Sequence, residues 1–171
     1  MKRLLGLIPV LMLASLSFAQ APRPNSAEFS HVLSIDGVGK VTITYRSLHW
    51  NEQAYATAKL NEQIRERLNS GIWHRIGTFN TDADLVIGNV QVPKGSYGLG
   101  ISFDGKDNFS LVLGNGGKDM TIPFTTQQDS PLVSYLAFDI RPSESGGYLI
   151  EGRSGKFRCW AEVKLPEAKV Q

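Results

Sequence analysis

The sequence predicts a mainly β fold, an antiparallel β-sandwich or barrel-like domain with one amphipathic helix. Three observations lead there. From Val38 onward, apolar and polar residues alternate with a period of two. The alternating runs are short and are separated by turn sequences rich in glycine and asparagine. A single stretch, residues 51–69, abandons that period for a helical one.

Taken in order, the chain opens with Met1-Lys2-Arg3, runs apolar from Leu4 to Phe18, and carries small residues at Ser17, Ala19 and Ala21. A basic start, a short apolar core and a small-x-small exit describe a secretory signal peptide, residues 1–19. The apolar run falls short of the roughly 20 residues a bilayer needs, and Pro9 interrupts it. No cysteine follows it, so no lipid anchor is expected there. The mature chain is therefore expected to be secreted or periplasmic, without a stable membrane anchor. Residues 20–28, with Pro22 and Pro24, read as a flexible mature N-terminus. Residues 29–166 read as a single β-rich domain, and 167–171 as a C-terminal tail.

Within the domain, Val41, Ile43 and Tyr45 alternate with Lys40, Thr42, Thr44 and Arg46. Tyr97, Leu99, Ile101 and Phe103 form the next clear run, followed by Phe109, Leu111 and Leu113. Then come Met120, Ile122 and Phe124, and later Leu136, Phe138 and Ile140, then Tyr148 and Ile150. The last run is Phe157, Cys159, Ala161, Val163 and Leu165. Alternation puts one set of side chains in a core and the other toward solvent. Pro93-Lys94-Gly95, Asp104-Gly105, Asn115-Gly116-Gly117, Ser145-Gly146-Gly147 and Ser154-Gly155 read as the turns between runs. From Asn51 to Asn69 there is no Gly or Pro, and Leu60, Ile64 and Leu68 recur at i+4. Asn51 is placed to cap the helix start, and Asn69-Ser70-Gly71 to end it.

Composition narrows the function classes. A remainder of about 150 residues suits one domain, which buries about 68–70% of its unfolded surface. Cys159 is the only cysteine, so no internal disulfide is possible. Of 18 basic residues, Lys2 and Arg3 fall in the leader, leaving 16 to balance 16 acidic ones. A neutral domain gives no electrostatic reason to expect nucleic acid or an anionic membrane as partner.

Candidate chemistry gathers in one place. Tyr45, Arg46, His49, Trp73, His74, Arg75 and Asn80 would, if strand and loop converge, set donors beside the aromatic faces of Trp50 and Trp73. Guanidinium pairs with carboxylates and aromatic rings stack on apolar faces, so the cluster suits an anionic or sugar-like ligand, and the expected partner is a small molecule, a glycan or an envelope component. The plain alternative makes Trp73 a core anchor and Arg75 a partner for loop carbonyls. His31, His49 and His74 match no metal-ligand spacing, and no calcium loop of the D-x-D-x-D-G kind is present, so no metal or cofactor is expected. No G-x-S-x-G elbow occurs, and Cys159 alternates with core residues and so packs as a small apolar group. The leading expectation is a non-catalytic binding or envelope-associated module, with loops on a rigid scaffold as the site. The alternative is a periplasmic hydrolase or isomerase using a His/Asp pair built on His49 or His74.

The stretch from Trp73 to Thr81, then Asp84-Leu85-Val86-Ile87 and Val92-Pro93-Lys94-Gly95-Ser96-Tyr97-Gly98-Leu99, resembles a bacterial family, the domain of unknown function 2911. Asp84 through Leu99 falls in the family's D-V-x-I-x-G-x-x-L-P-A-G-T-Y-x-L register without a gap, and Phe109 to Leu113 looks like its hairpin strand. His74 stands between the tryptophan and the arginine, and Tyr45-Arg46-Ser47 replaces the family's R-P-S. The resemblance implies an exported β-rich domain and supplies no catalytic residue.

Overall fold

A computed structural model describes residues 27–165. The expected signal peptide, the flexible N-terminus up to residue 26 and the C-terminal tail lie outside the described residues.

The alternating runs become ten strands. In chain order they are β1 (Glu28–Ile35), β2 (Gly39–Arg46), β3 (Gly77–Thr81), β4 (Leu85–Ile87) and β5 (Val90–Val92), then β6 (Gly95–Phe103), β7 (Phe109–Asn115), β8 (Lys118–Pro123), β9 (Thr125–Pro142) and β10 (Tyr148–Lys164). They form two antiparallel sheets, one ordered β1-β2-β3-β6-β7-β8 and the other β5-β4-β10-β9. The mainly β class is borne out, and of the two expected forms it is the sandwich, since the sheets stay open.

Register explains why the core is continuous. Ile43, Phe79 and Tyr97 lie directly opposite one another across β2, β3 and β6, so one row of inward side chains crosses three strands. Ile43 and Phe79 are fully buried in it. Leu99 pairs with Leu113, and Leu111 with Ile122, which carries the apolar row to the β8 edge. Residues 47–50 draw the two sheets together along one side. Leu136 N–H donates to the Leu48 carbonyl at 2.8 Å, Trp50 N–H to the Ser134 carbonyl at 2.8 Å, and the Ser47 hydroxyl to the Leu136 carbonyl at 2.6 Å.

Strand β10 differs from expectation. Ser154-Gly155 is no hairpin turn, because the strand continues through it from Tyr148 to Lys164. The pairing with β9 shifts register on both sides of Gly155, whose φ is 56°. Ile150 and Gly152 face the core before this irregularity, whereas Phe157 and Cys159 face it afterwards. The strand thus exchanges its faces. A Cβ at Gly155 would collide with the Trp50 indole, so both the backbone angle and the packing require glycine.

The expected single helix is two. Helix α1 spans Glu52–Leu60 and helix α2 spans Glu62–Ser70, with Asn61 extended between them at φ −123°. Asn61 ends α1 by donating its N–H to Thr57, and its side chain accepts from Ile64 N–H at 3.1 Å to begin α2. An internal cap, rather than a Gly or Pro, breaks the helix, and Leu60 is left exposed at the joint. Asn61→Ala is expected to destabilise the protein by about 1 kcal/mol through loss of this cap, measured by urea denaturation. An Asn61→Ala protein with unchanged stability would show that the cap contributes nothing. Together the helices cover one end of the sandwich. Tyr55 inserts among Phe103, Phe109 and Phe157, and the Asn69 carboxamide bonds both backbone groups of Phe103, at 2.9 and 3.2 Å.

Candidate functional site

The seven residues singled out in the sequence do not gather into one pocket. Tyr45 is buried in the core, stacked on Phe29 at 5.5 Å and edge-on to Phe138. Arg46 is exposed at the end of β2, 3.7 Å from Glu28. Asn80 pairs with Thr42 and Ser96 on the outward face of the six-stranded sheet. His74 and Arg75 follow Trp73 in a 3₁₀ turn, Ile72–His74, that crosses the outward face of β6. Gly100 makes that crossing possible, since a Cβ there would strike the backbone carbonyls of Trp73 and His74. His74 Nε2 lies 3.2 Å from Asp119 of β8, and the Arg75 stem passes over Gly98.

Only His49 and Trp73 share a hollow. It lies under α1 and α2, with a volume of about 20 Å³, and is walled by the rings of Trp50, Tyr55, Trp73 and Phe109. Its lining also includes the polar residues His49, Asn51 and Ser154. Trp50 and Trp73 stack at 6.0 Å, and the Trp50 indole N–H donates to Glu52 at 2.6 Å. His49 sits at the mouth, edge-on to Tyr135 at 5.2 Å. A second, open groove of about 520 Å³ runs past Ser102, Ser110 and Thr121. At its end the Asp104 carboxylate accepts from Lys106 N–H at 2.7 Å and from the Asn108 carboxamide at 2.8 Å, ordinary turn chemistry.

The cover over the hollow is tied down by one carboxylate. Asp107 accepts from the Tyr55 hydroxyl at 2.5 Å and from Lys59 at 2.7 Å. Asp107 holds φ 64°, the one non-glycine residue with positive φ among the described residues. Burial would raise its pKa, but the hydrogen bonds from Lys59 and Tyr55 outweigh that and lower it. Burial, then the bond to Asp107, pushes the Tyr55 phenol well above its usual range. A carboxyl with a depressed folded pKa stabilises above its unfolded value, near 3.8, and loses that contribution as pH falls. Asp107→Asn is therefore expected to cost about 1–2 kcal/mol at neutral pH and progressively less at an acid pH below 3.8. Denaturation at the two pH values checks this, and a pH-independent difference would contradict it.

The strongest electrostatic feature is one the sequence reading missed. Glu151 of β10 is 5% exposed and carries three arginines. One oxygen accepts from Arg141 Nη2 and Nε at 2.6 and 3.0 Å and from Arg158 Nη2 and Nε at 3.0 and 3.1 Å. The other accepts from Arg153 Nε at 2.8 Å. Burial would raise the Glu151 carboxyl, but the bonds from Arg141, Arg153 and Arg158 hold it down at about 2. The cluster occupies the outward face of the β9–β10 hairpin, where Arg158 also lies 5.4 Å over the Trp160 ring. The charged residues Arg141, Glu151, Arg153 and Arg158 were the available signal. Reading Ser154-Gly155 as a turn hid that these residues share one face.

Elsewhere, His31 Nδ1 lies 3.1 Å from Asp139 where β1 meets β9. Cys159 is buried, and burial pushes its thiol up to about 11, so it packs without reacting. Among the described residues, no three His, Cys, Asp or Glu side chains gather to hold a metal ion. None of the helices there is long and apolar enough to cross a membrane. No family model, curated protein or solved structure matches the chain.

Proposed function

We propose that the chain is an exported, non-catalytic binding module with its interior site at the sandwich end covered by α1 and α2. A separation carries the reading. Both histidine–carboxylate pairs, His31–Asp139 and His74–Asp119, stand apart from the hollow, and no carboxylate among the described residues lines it. General acid–base catalysis needs the proton-transfer group within hydrogen-bond reach of the bound substrate. Here the histidine–carboxylate pairs and the space able to hold a guest are in different places, and His49, the histidine at the hollow, has no carboxylate partner among the described residues.

The wall chemistry favours a small, mostly apolar ring bearing one polar atom. The hollow at rest has room for about one water molecule, so such a guest enters by lifting the α1–α2 cover against the Asp107 and Asn69 ties. Export, and kinship with the family that residues 73–99 resemble, belong to the same proposal. The leader pattern and the Asp84–Leu99 register support them.

Phenol is the test probe. Titrated into the mature protein, it is expected to shift the emission of Trp50 and Trp73 and to raise the unfolding midpoint. Ala54→Leu, which fills the hollow from α1, is expected to lose both effects while keeping the circular dichroism spectrum. An equal shift in Ala54→Leu, or none in the wild type, contradicts the site. Turnover of an ester or glycoside that vanishes in Asp119→Asn would instead favour a hydrolase using His74.

A further inference from the structure

The Glu151 cluster holds more positive charge than its own stability needs. A buried carboxylate must be compensated, and one bidentate arginine already supplies a full opposite charge in the right geometry. Here three guanidiniums hydrogen-bond one carboxylate, and among the described residues Arg153 and Arg158 have no second carboxylate within ion-pair distance. The next carboxylate, Asp139, stands across the hairpin from Glu151, 3.1 Å from His31 Nδ1, and its field reaches Arg141. Glu144 is a further acid whose field reaches Arg141.

Donor capacity points the same way. Each guanidinium has five N–H donors. Arg141 and Arg158 direct two each at Glu151, and Arg153 directs one. The Arg153 side chain remains 46% exposed, the most open of the three. All three arginines rise from paired strands rather than loops, so their forks are held before any ligand arrives. Trp160 lies two residues beyond Arg158 on the same face, half-buried, and offers ring surface beside the charge.

We propose that the outward face of the β9–β10 hairpin is a binding site for an acidic sugar, its oxyanion taken by Arg153 with Arg141 and Arg158, and its ring laid beside Trp160. A guanidinium fork fits a carboxylate or a phosphate equally well, and a sugar ring presents an apolar face to an indole. The site is independent of the interior hollow, so either can fail without the other.

Calorimetric titration of the mature protein with four probes tests it: glucuronate, glucose 6-phosphate, glucose and inorganic phosphate. The two sugar acids are expected to bind, their ratio showing which acid is preferred, while glucose does not. Arg153→Gln, which leaves Arg141 and Arg158 on Glu151, is expected to weaken sugar-acid binding about tenfold. Phenol binding in the same variant should be unchanged. Trp160→Leu should weaken the sugar acids but leave inorganic phosphate unaffected. Inorganic phosphate binding as tightly as both sugar acids would overturn the sugar assignment. No binding of any probe, or an unweakened Arg153→Gln, would overturn the site and leave the arginines serving Glu151 alone. Arg153→Lys, which keeps the charge without the fork, gives the same reading if Arg153→Gln fails to fold.

Discussion

Glu151→Ala is expected to lower the unfolding free energy by about 3–5 kcal/mol at neutral pH. Removing the carboxylate strands three guanidiniums that it now holds together, with Arg158 only 29% and Arg141 31% exposed as side chains. The cost comes from cations left unpaired in poor contact with water, rather than from the pairs' intrinsic strength. The pH dependence has a definite sign. The folded pKa of about 2 lies below the ordinary value of 4.5, so the stabilisation is complete above pH 4.5 and is lost as pH falls toward 2. The wild type should therefore approach Glu151→Ala in stability as acid is added. Urea denaturation from neutral pH down to pH about 3 measures the gap, and a gap that stays constant would contradict the network.

Phe157→Ala should cost about 3–5 kcal/mol as well, for a different reason. The Phe157 ring is 2% exposed and lies 5.0 Å from Phe109, 5.3 Å from Tyr55 and 6.1 Å from Trp50. Truncation leaves a cavity in the middle of these aromatic contacts, and neighbours fixed by strand pairing collapse into it only partly. Tyr55 and Phe109 also wall the hollow, so the lost volume adjoins it. Phenol should then bind Phe157→Ala more tightly than the wild type and restore part of the lost stability. Thermal denaturation with and without phenol reads both effects. A variant destabilised by under about 1 kcal/mol would place Phe157 outside the core.

Glu151 and Phe157 are an even number of residues apart, yet one faces outward and the other inward. That opposition shows where sequence reading succeeded and where it stopped. The inward sets, Leu136 to Ile140 and Phe157 to Val163, were legible because a period of two survives in each run. The change of phase between Ile150 and Phe157 was legible too, but a turn and a bulge leave the same mark, a glycine between two runs. Which one forms depends on whether β9 offers partners on both sides, a long-range fact. Asn61 shows the same limit in the helical stretch, where a good helix cap also sits within a continuous i+4 pattern. Strand β1 was weakly marked because it is an edge, with Phe29 and Val32 substantially exposed.

The candidate site suffered more than the fold. Tyr45 and Arg46 are neighbours in sequence, but alternation sends one into the core and the other to solvent. His49 and Trp73 meet at the hollow because residues 47–50 cross between the sheets, while His74 and Arg75 ride over the glycines of β6. The arginines of the Glu151 cluster lie up to 17 residues apart in sequence and come together only through the β9–β10 register.

The exchange of faces along β10 therefore underlies both proposals, since it puts Phe157 beneath the hollow and Glu151 among the arginines outside. Carbon-detected NMR titration of the Glu151 carboxyl examines it at one atom. A midpoint near 2 is the outcome this geometry demands. A midpoint at the ordinary 4.5 would mean that the arginines do not meet there and that β10 runs in a different register.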